Sequence, residues 1–205
     1  MGFLRRLFSN SPGPIVVVSG LPRSGTSMMM KMLEAGGVTP LTDEIREADR
    51  DNPRGYYEFE RVKKLDKGDT EWLPQAQGKV VKVISALLKN LPNDYRYKII
   101  FMRRHMPEIL ASQRKMLVHR GEDADNMDDE RMAELFSKHL GDVEQWLARQ
   151  DNVEALYIHY SDALRDPQTT AENVAQFLGK ALNVERMVGV VDPQLYRNRR
   201  AELNR

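Results

Sequence analysis

The residues best arranged for chemistry run from Gly20 to Ser27, Gly-Leu-Pro-Arg-Ser-Gly-Thr-Ser. Two glycines and a proline force a sharp backbone turn there. Ile15 to Val18 ahead of it are β-branched without a break, as in a strand covered on both faces of a parallel sheet. From Thr26 the residues favour a helix, which Gly36 and Gly37 would stop. A strand feeding a helix N-terminus through such a turn aims unpaired backbone N–H groups at one point, and the helix dipole adds partial positive charge. The ligand implied is a phosphate. The spacing Gly20-x-x-x-x-Gly25 is that of the phosphate loop of nucleoside triphosphatases, but Thr26 stands where those enzymes carry lysine. Ser27 keeps their hydroxyl position, and the cation has moved inside the loop, to Arg23. A triphosphatase also needs a carboxylate for magnesium, usually at the end of a neighbouring strand. The strand predicted over Lys98–Met102 ends instead in Arg103 and Arg104. Both departures imply an anion cradle of arginines and hydroxyls that works without a metal. They speak against ATP or GTP hydrolysis, though not against nucleotide binding.

Pro22-Arg-Ser-Gly-Thr-Ser27 resembles the 5′-phosphosulfate loop of the sulfotransferases that use 3′-phosphoadenosine 5′-phosphosulfate (PAPS). Arg104-His-Met-Pro-Glu-Ile-Leu-Ala-Ser112 is similar to a second family motif, a strand-end arginine with a serine on the next helix, which together hold the 3′-phosphate. Leu156-Tyr-Ile-His-Tyr-Ser-Asp-Ala-Leu-Arg-Asp-Pro167, followed by Val174-Ala-Gln-Phe-Leu-Gly179, resembles the family's late strand and helix. These stretches come in the family's order and span about residues 15–180.

The resemblance implies transfer of a sulfuryl group from PAPS to a hydroxyl or amine of a small-molecule or carbohydrate acceptor, leaving 3′,5′-ADP. No residue names the acceptor. It further implies that the amides of Ser24, Gly25, Thr26 and Ser27 hold the 5′-phosphate, with the hydroxyls of Thr26 and Ser27 adding to them. Arg23 takes the place of a lysine that contacts the bridging oxygen in many relatives; guanidinium stabilises developing charge but is a poor proton donor. Arg104 and Ser112 would select the 3′-phosphate, while Arg103 could face the helix layer. Tyr160 stands where relatives place a tyrosine against adenine, or it is a boundary aromatic at a strand end. Arg197, Arg199 and Arg200 could add to the 3′-phosphate site, although the family's Gly-rich C-terminal segment with its tryptophan and lysine is missing here.

The general base departs from the family pattern. In cytosolic steroid and phenol sulfotransferases a histidine follows a lysine at the end of the second strand. If Lys82 matches that lysine, the histidine position falls on Ile84, which cannot take a proton. Carbohydrate sulfotransferases often use a glutamate from the loop after the first helix, which here points to Glu58, flanked by Tyr56, Tyr57 and Phe59. Those aromatics either line the mouth of the site or anchor the loop. Glu58 either serves as base or pairs with Arg54 or Arg61, and Glu44, Glu47, Glu60 and His105 compete for the role.

The elements that must position these residues read as strands at Ile15–Val18, Lys79–Ile84, Lys98–Met102 and Glu154–His159, alternating with helices. Pro107 suits the first turn of one helix, and Asp166-Pro167 caps another that Gly179 closes. The acids of Gly121–Asp129 read as a solvated lead-in to a helix with a 3.6-residue stripe from Met132 through His139 to Leu147. His139 on that stripe reads as a satisfied core or boundary histidine. Alternating strands and helices predict a single-domain, P-loop-type α/β fold, a parallel sheet of four or five strands with helices on both faces.

The chain has 205 residues, which suits one domain over 15–205 behind an N-terminal arm, 1–14. Phe3, Leu4, Leu7 and Phe8 with Arg5 and Arg6 either touch a membrane surface or dock on the domain, and Arg6 breaks a myristoylation pattern. A net charge of +1 implies no polyanionic partner, and nucleic acid is not expected. The absence of cysteine rules out disulfides and is compatible with a reducing cytoplasm, the expected location. No metal site and no membrane-spanning run is read. Two rival functions share the loop: a P-loop small-molecule kinase, and a catalytically silent nucleotide-binding protein of the same fold.

Overall fold

The computed structural model describes residues 13–43, 57–119, 121 and 128–192. β1 (Ile15–Gly20) is the spine of the sheet, and every one of its residues is buried. It pairs in parallel with β2 (Val80–Lys82) on one side and β3 (Tyr97–Arg103) on the other, and β4 (Val153–His159) pairs with β3. The order is β2-β1-β3-β4. With both edges of β1 paired and both faces covered, a run of Ile and Val is the composition that fits. Ile15 and Val17 face one core with Val81, Ile99 and Phe101; Val16 and Val18 face the other with Val80, Ile100 and Met102.

The first face is covered by α2 (Leu73–Ala76), α4 (Asp129–Leu147) and two 3-10 helices, Glu60–Lys67 and Ser85–Asn90. Trp72 and Leu73 are fully buried there, and the indole N–H reaches Asp69 O at 3.0 Å. The second face is covered by α1 (Thr26–Ala35), α5 (Tyr160–Arg165), α6 (Pro167–Leu178) and α7 (Val184–Gly189). The predicted α/β sheet with helices on both faces is present, with four strands among the described residues.

Local chemistry explains the element ends. Asp166 caps α6 by accepting from Thr169 N at 3.0 Å, with Pro167 behind it, and Gly179 at φ 64 closes the helix. Asp128 caps α4 through Arg131 N. The second strand is shorter than the predicted Lys79–Ile84, because the chain turns at Ile84 into a 3-10 helix. Leu135, on the predicted apolar stripe of α4, is 55% exposed: the core begins further along, at Val143 and Leu147. Residues 1–12 of the predicted arm lie outside the described residues.

The chain runs from β1 to β2 on one side and then crosses to β3 on the other. Ligand crevices of open α/β sheets form outside the strands' carboxyl ends at such a reversal. Gly20 pairs with Met102, so β1 and β3 deliver Leu21 and Arg103 to the same level.

Candidate active site

The loop between β1 and α1 is shaped for an anion. Gly25, the N-cap of α1, has φ 98, and no side chain caps this N-terminus. The first turn carries no acid to offset the dipole. A Cβ on Gly25 would overlap Cδ2 of Tyr160 and come within 3.0 Å of Cε2, so glycine is required by both backbone and packing. Arg23 also has a positive φ, 69, a conformation that bulky residues rarely adopt. Ser24 Oγ is buried, with no hydrogen-bond partner among the described residues.

Two arginines converge on this loop. Arg23 Nε donates to Ser112 Oγ of α3 (Met106–His119) at 2.9 Å. Arg104, at the start of the turn into α3, donates from Nη1 to Arg23 O at 3.0 Å and from Nε to Glu108 Oε2 at 3.0 Å. Its guanidinium lies 4.7 Å from the centroid of the Tyr160 ring. Burial pushes the Tyr160 phenol above its ordinary value, against the pull of Arg104. Arg23, Ser112, Arg104, Gly25 and Tyr160 thus form one contact network at the carboxyl end of the sheet. Arg103 faces the helix layer: Nη2 pairs with Glu144 of α4 at 2.6 Å, and the guanidinium covers the Tyr157 ring at 4.3 Å.

A family described as "Sulfotransferase domain" matches residues 14–201. The chain belongs to the sulfotransferase family. No curated protein matches the sequence. Solved structures share the fold. The sulfotransferase domain of the Synechococcus PCC 7002 olefin synthase is 17% identical, with 95% of this chain and 83% of that one covered at a TM-score of 0.56. Sulfotransferase STF1 from Mycobacterium tuberculosis H37Rv is 16% identical, with 95% and 76% covered and a TM-score of 0.58. The sulfotransferase domain of the curacin biosynthetic pathway is 15% identical, with 88% and 78% covered and a TM-score of 0.55.

In this sulfotransferase Glu58 sits on the loop leading into the 3-10 helix at Glu60. Its carboxylate lies 3.3 Å from Lys63 Nζ, and its carbonyl accepts from Thr42 Oγ1 at 2.9 Å and from Asp43 N at 3.3 Å. Lys63 is a partner that sequence reasoning missed. Arg61, one predicted partner, instead holds Asp69 and Glu71, and Arg54, the other, lies outside the described residues. Tyr57 Oη donates to Glu34 Oε2 of α1 at 2.5 Å, and Phe59 packs edge-on against Trp72 with centroids 5.6 Å apart. Both rings anchor the loop. Glu60 pairs with Lys63 at 2.6 Å, and His105 begins the turn into α3, its carbonyl accepting from Glu108 N and Ile109 N. Tyr56, Glu44, Glu47, Arg197, Arg199 and Arg200 lie outside the described residues.

Glu108 was also missed, although it stands four residues beyond Arg104, which lies just ahead of α3. His139, read as a boundary histidine, contacts Ser85 Oγ through Nε2 at 2.8 Å. Among the described residues no group of His, Cys, Asp or Glu could hold a metal ion, and no helix is long and apolar enough to cross a membrane.

Proposed function

We propose that this sulfotransferase moves a sulfuryl group from PAPS to a hydroxyl or amine of a small acceptor. The observation that carries the reading is the Arg23–Ser112 contact, 2.9 Å, beside the uncapped N-terminus of α1. It joins the loop that suits a 5′ anion to the helix serine matched to the 3′-phosphate, so one nucleotide with phosphates at both positions can touch both. Gly25, which admits no side chain, and the partnerless Ser24 hydroxyl fit a ligand lying against the backbone of the loop.

The donor, when bound, supplies an already activated sulfuryl group on an anhydride linkage. The chain's tasks are to orient the donor, stabilise charge on the departing phosphate, and receive the acceptor's proton. Amides of Ser24, Gly25, Thr26 and Ser27 orient the 5′-phosphate. Arg23 neutralises charge at the bridging oxygen, and Arg104 with Ser112 selects the 3′-phosphate that distinguishes this donor from ATP. Tyr160 stacks on Arg104 and holds its guanidinium toward the loop. In this reading Glu58 is the carboxylate on the loop after α1, competing for the proton while paired with Lys63.

Calorimetry with 3′,5′-ADP, 5′-AMP and ATP–Mg²⁺ tests the assignment. Charge-assisted hydrogen bonds to the 3′-phosphate should favour 3′,5′-ADP over 5′-AMP by about 1.5–3 kcal/mol. Tighter binding of ATP–Mg²⁺ than of 3′,5′-ADP would reassign the chain to kinase chemistry. Labelled PAPS offered with phenols, alcohols and amines separates an enzyme from a silent binder.

A further inference from the structure

With Lys82 matched to the family's lysine, the histidine position is Ile84, which is 46% exposed two residues beyond β2. Val18 pairs with Lys82, and Val83 N donates to Val18 O at 3.0 Å. Continuing that register sets Ile84 level with Gly20, one strand spacing of about 5 Å from the start of the anion loop. The next residue, Ser85, is only 2% exposed, and its Oγ is the atom 2.8 Å from His139 Nε2. α4, which carries His139, also faces the loop directly: Leu140 and Glu144 share a cavity of about 170 Å³ with Leu21 and Ser24. The His139 imidazole thus contacts the residue that follows Ile84, one position before Leu140, which lines that cavity.

The ring is held by one nitrogen. When Nε2–H donates to Ser85 Oγ, the lone pair is on Nδ1, which has no hydrogen-bond partner among the described residues. His139 is half-buried. Burial first, then Lys89 on the facing 3-10 helix, hold its pKa below the ordinary imidazole value, against Asp142 on its own helix. The ring is thus neutral near pH 7, the form that accepts a proton. Glu58, by contrast, already spends its charge on Lys63.

We infer that His139, oriented by Ser85, is the general base that takes the acceptor's proton. The inference rests on the PAPS reading above. The acceptor's O–H or N–H bond breaks and its proton goes to Nδ1. A new bond forms from the acceptor atom to sulfur while the bond from sulfur to the bridging oxygen breaks. 3′,5′-ADP leaves with that electron pair, beside Arg23. Ser85 is a positioning residue: its hydroxyl fixes the ring, accepting from Nε2–H in the tautomer that leaves Nδ1 to take the proton.

Ring resonances of His139 in the ¹⁵N-labelled chain give a readout that needs no acceptor. The expected free protein shows Nε2 protonated. Saturating 3′,5′-ADP should raise the His139 pKa, because new anions nearby favour imidazolium. A chain that does not bind 3′,5′-ADP overturns the PAPS reading and this assignment with it. A chain that binds it while His139 keeps both its shifts and its pKa overturns this assignment alone. With the best acceptor from the phenol, alcohol and amine panel, His139→Gln should lower kcat by about 10²–10⁴-fold and leave 3′,5′-ADP affinity within about twofold. Ser85→Ala should lower kcat less and move the acid limb of the pH profile. Retention of most turnover in His139→Gln, with loss in Glu58→Gln, would return the role to the carboxylate.

Discussion

Arg104 is expected to hold the site together before it holds any ligand. Its side chain is 9% exposed and pairs with that of Glu108, 3% exposed, at 3.0 Å. Arg104→Ala removes the cation 3.0 Å from that buried carboxylate. Breaking one side of a buried pair costs about 3–5 kcal/mol, largely the penalty of the stranded charge. Loss of the bond to Arg23 O adds about 1 kcal/mol, and the stack on Tyr160 about 0.5–2 kcal/mol, though the terms overlap and do not simply sum. A loss of about 3–5 kcal/mol is a large part of the roughly 5–15 kcal/mol that stabilises a domain. Urea unfolding at pH 7, followed by circular dichroism, reads this as a fall in midpoint at constant slope. Glu108→Gln in the Arg104→Ala background removes the stranded charge and should restore a substantial part of the loss. An Arg104→Ala protein within about 1 kcal/mol of wild type would refute the buried-pair reasoning. The double variant is also the background in which ligand selectivity is measured on folded protein. There 3′,5′-ADP should weaken far more than 5′-AMP, and equal weakening would confine Arg104 to the fold or the 5′ end.

Gly25→Ala should destabilise the chain by about 1–3 kcal/mol, since alanine must adopt the left-handed φ of 98 and displace the Tyr160 ring. It should also weaken 3′,5′-ADP, and unchanged melting and affinity together would show that the loop relaxes freely. Asn183→Ala removes the acceptor for Arg186 N at the start of α7 and should cost about 0.5–2 kcal/mol in thermal or urea unfolding. Asp166 has its pKa lowered, first by the backbone bond from Thr169. Its contribution should therefore be complete above the unfolded carboxylate value of about 3.9 and disappear as pH falls through the lower folded value. Melting temperatures of Asp166→Asn and wild type should accordingly differ at pH 7 and converge near pH 2, and a gap that persists in acid would mean the cap works without its charge.

What was legible in the amino-acid order is what neighbouring residues decide among themselves. The unbroken β-branched run of Ile15 to Val18 can be satisfied only by cover on both faces, which already specifies a central parallel strand. Gly20, Gly25 and the helix-forming run after Thr26 specify the anion loop, because backbone freedom and an uncapped N-terminus are local properties. Asp166-Pro167 and Gly179 bound α6 for the same reason. The tertiary structure decided which of these local pieces meet. Arg23 finds Ser112 at a separation of 89 residues, and His139 finds Ser85 at 54. The order β2-β1-β3-β4 brings those elements together, and no periodicity within a segment encodes the order. Adjacent Arg103 and Arg104 look alike as letters, yet one emerges toward Glu144 on α4 and the other turns inward to Glu108. Successive side chains at a strand end leave on opposite sides, so their partners depend on what each helix layer places there. Glu58 met Lys63 while Arg61 turned to Asp69 for a related reason: the loop's path, pinned by Tyr57 to Glu34 and by Phe59 to Trp72, sets the carboxylate's reach.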